Sequence, residues 1–88
     1  MYKFEQERPN VLTTSGIKKM LAIRDHAFEL LDNAGAVRAG NAAFGSPEVQ
    51  GDSFNTMACL DFLIELKELK VIEGTDNGRW QDRVLVKG

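Results

Sequence analysis

Residues 53–72, SFNTMACLDFLIELKELKVI, decide the fold. From about Asp52 to Lys70, Phe54, Met57, Ala58, Leu60, Phe62, Leu63, Ile64, Leu66 and Leu69 take up most of a helical circumference. Only Asp61, Glu65 and Glu68, at steps of four and three, are left as a polar stripe. Such a helix belongs at the centre of a small core, and Asp52 or Ser53 supplies the side-chain oxygen that caps it. Past Lys70 the period shortens. Val71-Ile72-Glu73, the glycine-bounded run Gly74 to Gly78, and the alternation from Trp80 to Lys87 predict a β-hairpin. Asn77-Gly78 tolerates the positive φ angles of a tight turn. A two-residue loop sets Thr75 against Trp80, Val71 against Val84 and Glu73 against Asp82. The opposed carboxylates favour a longer, wider loop.

Upstream, Thr13, Thr14 and Ser15 offer capping hydroxyls, and a helix is expected from near Gly16 to Asn33-Ala34-Gly35. Ile17, Met20, Leu21, Ile23, Ala27, Phe28, Leu30, Leu31 and Ala34 form its apolar side; Lys18, Asp25, Glu29 and Asp32 form its wet side. Gly35 is placed for a left-handed cap. Residues 37–45, VRAGNAAFG, predict a brief helix of about two turns, and SPEVQGD (46–52) a connecting turn. Residues 1–12 form an N-terminal arm. Within it Tyr2 to Glu5 alternate as a short strand that Pro9 and Asn10 stop, an arm suited to adding to the hairpin or crossing to a second subunit in a homodimer.

The bulk properties set limits. Eighty-eight residues, 43% hydrophobic and 27% charged, describe one α+β domain. No apolar run reaches the roughly 20 residues of a membrane span, and the charged opening segment differs from a secretory signal, so a cytoplasmic location is expected. The lone Cys59 cannot close an internal disulfide. A net charge of -2 lays no global basic field on the surface.

Helix, short helix, turn, long helix and glycine-tipped hairpin, in that order over residues 14 to 87, resemble a winged helix-turn-helix domain. Ser53-Phe54-Asn55-Thr56-Met57, followed by Leu60, Leu63, Leu66, Leu69 and Ile72, looks like the recognition helix and first wing strand of that family. The resemblance implies a non-enzymatic DNA-binding regulator. Ser53, Asn55 and Thr56 would enter the major groove, Arg79 and Arg83 would be wing contacts, and Arg38 would join the same surface. The alternative is an acidic protein-interaction or inhibitor module, acting through the Asp61, Glu65 and Glu68 stripe or through Trp80.

Other chemistry has little to stand on. Gly51-Asp52-Ser53 has the look of a lipase nucleophile segment, but it lacks a large α/β scaffold and is better read as a cap. His26, a heptad from Lys19 and from Asn33, is expected in solvent. Cys59 and His26, thirty-three positions apart, make no metal-ligand pair. No phosphate-cradling loop or other cofactor motif is present in the sequence. Trp80 either folds back onto the long helix or stacks on a base or anchors a partner, and packing onto the helix is favoured.

Overall fold

Thr13 opens the longest helix in the computed structural model, which describes residues 1–45 and 52–88. Its hydroxyl accepts the backbone N–H of Gly16 at 3.0 Å. The helix, α2, runs from Thr14 to Ala34 and ends where Gly35 takes φ 78° and returns its N–H to the Leu31 carbonyl at 2.7 Å. Both boundaries agree with the capping chemistry of the sequence. The predicted turn at 46–52 lies, apart from Asp52, outside the described residues.

Ahead of α2 stands a helix where a strand was expected. α1 spans Phe4–Val11 and carries Pro9 inside it. Local alternation yields to tertiary contact here: Val11 is fully buried, Phe4 meets the Phe62 ring edge-on at 6.4 Å, and Arg8 grips Glu65. The approach of the two helices is close. A Cβ on Gly16 would stand 2.6 Å from the carbonyl oxygens of Asn10 and Val11.

After α2 the chain forms β1 (Val37–Arg38), then α3 (Ala39–Phe44), α4 (Ser53–Glu65), β2 (Leu69–Val71), a single 3-10 turn (Trp80–Asp82) and β3 (Val84–Lys87). The predicted short helix at 37–45 therefore gives up its first two residues to a strand. Among the described residues the strands make one antiparallel sheet in the order β1-β3-β2. Val37 pairs with Leu85 and Arg38 with Val84; across β3, Val71 also faces Leu85. The expected Val71–Val84 register is corrected by one residue, and a wide connection from Ile72 to Arg83 replaces the tight turn. This is the outcome that the opposed carboxylates favoured.

The long helix also stops earlier than its apolar pattern suggests, at Glu65 rather than Lys70. Lys67 adopts φ 63°, its N–H bonds to the Ile64 carbonyl at 3.0 Å, and the Glu68 N–H reaches back to Leu63 at 3.0 Å. This is a Schellman end with lysine at the left-handed position. It turns Leu69 out of the helix and into β2, where the side chain is buried. Ile23, Ala27 and Leu31 of α2, Leu60 and Leu63 of α4, and Leu69 and Leu85 of the sheet fill the core. Fully buried Ala39, Ala42 and Ala43 let α3 pack closely against it.

Candidate nucleic-acid interface

The middle of α4 is engaged inside the molecule. Asp61 Oδ2 accepts from the Tyr2 hydroxyl at 2.6 Å and from Trp80 Nε1 at 3.0 Å, while its Oδ1 takes Arg83 Nη2 at 2.7 Å. The Arg83 and Asp61 side chains are only 16% and 13% exposed. Arg83 also donates to the Trp80 carbonyl at 3.2 Å and lies over the indole, 4.9 Å from its centroid. One carboxylate thus ties the N-terminal segment, α4 and the connection between β2 and β3 together. Burial and the hydrogen bond to Asp61 push the Tyr2 hydroxyl well above its usual range.

Each carboxylate of the acidic stripe has a basic neighbour. Glu65 receives Arg8 through a forked contact of 2.9 to 3.1 Å, and Arg24 stands 3.8 Å from Glu68. Arg8 also covers the Phe62 ring at 5.0 Å, so α1 lies over the outer side of α4.

The other predicted positions separate. Thr56 is 2% exposed, and its hydroxyl donates to the Asp52 carbonyl at 3.1 Å, so it reinforces the start of the helix and does not face solvent. Ser53 is exposed and Asn55 half-buried at the first turn of α4. Arg79 is exposed but pairs with Asp82 at 3.0 Å. Arg38 is exposed at the edge of the sheet and has no anionic partner among the described residues. Trp80 packs partly buried against the core, as favoured, with Tyr2 and Phe44 edge-on to it at 6.5 and 6.2 Å. His26 is half-buried, not free in solvent, because α3 approaches it and the Ala42 carbonyl comes within 3.3 Å of Nδ1.

A groove of about 520 Å³ brings Ser15, Lys18 and Lys19 of α2 beside Asn10, Asp52 and Asn55. Asp52 caps α4 by accepting the Phe54 N–H at 2.9 Å, and Lys19 Nζ reaches both the Asp52 carbonyl, at 3.4 Å, and Asn55 Oδ1, at 3.2 Å. Below them is buried Cys59, its thiol pushed up to about 11 by burial while Lys19 pulls the other way. A second groove, of about 490 Å³, lies between α2, β1 and α3 and includes Asn33, Arg38 and Asn41. Ser15, Lys18, Ala22, His26, Leu30 and Asn33 line the two grooves at steps of three or four, so the grooves run along one side of α2.

Sequence reasoning missed Lys18 and Lys19 as site residues. Adjacent lysines in the first turns of a helix were the available signal, but nothing in the sequence links Lys19 to Asn55, thirty-six positions away. Among the described residues no cluster of three or more His, Cys, Asp or Glu side chains is placed to hold a metal ion. No helix among them is long and apolar enough to cross a membrane. No family model, curated protein or solved structure matches the chain.

Proposed function

We propose that this chain is a non-enzymatic DNA-binding module of winged-helix type, engaging duplex DNA through the first turn of α4 and the adjoining side of α2. The groove that sets Lys18 and Lys19 beside Asn55 carries this reading: two cations for phosphate stand next to an amide suited to a base edge. The succession of helix, short helix, long helix and wing supports it, as does Arg38, which has no anionic partner among the described residues. From Lys18 to Asn33, beside Arg38, α2 rises about 22 Å, close to the length of six or seven base pairs. Arg83 has no part in this surface, because Asp61 holds it inward, and Thr56 has none, because it is buried. The reading surface expected from the sequence narrows to Ser53, Asn55 and Arg38, with Arg79 at the wing and the two lysines added.

Amide chemical shifts recorded during titration with a short duplex test the assignment. Perturbations are expected at residues 15–22, at 53–55 and around Arg38. Shifts confined to Glu65, Glu68 and the end of α4 would contradict it.

A second reading has its own observation. Phe44 and Phe54 are 49% and 38% exposed and continue the Tyr2–Trp80 aromatic cluster, Tyr2 lying 5.7 Å from Phe54. Exposed aromatics of this kind suit a protein partner. Under this reading Phe44→Ala abolishes capture of that partner and Lys18→Ala does not. The acidic stripe contributes little to it, since its three carboxylates already have basic partners.

A further inference from the structure

The amide of Asn55 has a fixed orientation. Lys19 Nζ lies 3.2 Å from Oδ1, and the Cys59 sulfur is 3.9 Å from the same oxygen. An ammonium carries donors only, so the oxygen must face it; rotating the amide by half a turn would set NH2 against NH3⁺. Nδ2 has no hydrogen-bond partner among the described residues, and the side chain lines the groove. The group left to meet a ligand is a pair of N–H donors.

We propose that Asn55 reads the major groove as a donor only and selects guanine, with Lys19 as the residue that positions it; this rests on the DNA-binding reading above. Guanine sets two acceptors, O6 and N7, side by side, and the two Nδ2 protons meet them. Adenine presents a donor beside N7, and the usual asparagine pairing with adenine needs the oxygen that Lys19 holds. Cytosine presents a donor. Thymine offers one acceptor next to a methyl group.

Selection from a randomised duplex pool by the full chain, at about 50 mM salt where electrostatic contacts are strong, tests this. The parent is expected to enrich guanine over adenine by about tenfold at one position. Asn55→Ala levels that position. Lys19→Met releases Oδ1 and shifts the preference toward adenine, whereas Lys19→Arg keeps a donor in place and retains guanine. A melting curve for each variant separates lost reading from lost fold, and if Lys19→Met fails to fold, the parent, Asn55→Ala and Lys19→Arg still decide. Enrichment of adenine by the parent at the Asn55-dependent position, or guanine unchanged in a folded Lys19→Met, overturns the proposal and leaves DNA binding standing. Failure of the parent to retain any duplex overturns both.

Discussion

Asp61 holds three donors from two other parts of the chain with a single carboxylate. In the helical pattern it is one of three carboxylates on a wet stripe; in the fold it accepts from Tyr2, Trp80 and Arg83 together. A paired, largely buried charge is costly to break because its partner is left uncompensated. Asp61→Ala is therefore expected to lower the unfolding free energy by about 3 to 5 kcal/mol, measured by urea denaturation. An unchanged midpoint would show that the three donors find other partners. Cys59 gives a pH dependence. Its folded pKa of about 11 lies above the ordinary 9.0, so folding favours the protonated thiol. This contribution to stability is complete below pH 9 and is lost as the pH rises toward 11. Cys59→Ala is expected to lose less stability than the parent across that interval. The native thiol is also expected to resist thiol reagents near neutral pH, reacting once urea unfolds the chain.

At the scale of elements, caps were easier to read than ends without glycine. Thr13 and Gly35 bound α2 where the sequence placed its limits, since a hydroxyl and a glycine each carry a direct conformational signal. Lys67 carries none. Its left-handed backbone ends α4 inside an apolar pattern that ran on to Leu69, and so the strand at Leu69 was read as helix. Lys67→Gly is expected to raise stability by roughly 0.5 to 1 kcal/mol, because glycine reaches this backbone region without the Cβ clash. Gly35→Val is expected to cost more than about 1 kcal/mol at the other left-handed cap. Paired thermal melts check both, and equal midpoints would show that neither position governs its helix end. α1 was illegible for a different reason. The period of two in Tyr2 to Glu5 is a local signal, and the contacts of Phe4 and Arg8 with α4 that override it join residues more than fifty positions apart. The candidate site was legible in part on the same grounds: Ser53 and Asn55 follow from the start of α4, whereas the Lys19–Asn55 contact is purely tertiary.

For the whole molecule the net charge of -2 counts for less than where the charges sit. Asp61, Glu65 and Glu68 lie beside Arg83, Arg8 and Arg24, so these three acids are offset locally by three bases. Lys87 is likewise held, 2.8 Å from Asp32. Among the described residues, the cations left near the first turn of α4 are Lys18 and Lys19, with Arg38 toward the far end of α2. On the proposed DNA-binding reading, duplex affinity is expected to be set by few phosphate contacts and to fall with added salt at a shallow slope, about 0.9 log unit per contact. Fluorescence anisotropy of a labelled duplex, titrated with the chain from about 50 to 200 mM salt, measures whether the chain binds DNA and through which cations. Binding is expected with a salt slope that falls by about 2 when Lys18 and Lys19 are both replaced by alanine and is unchanged by Glu68→Gln. Absence of binding at the lowest salt, or a slope indifferent to the two lysines, would contradict the DNA-binding reading.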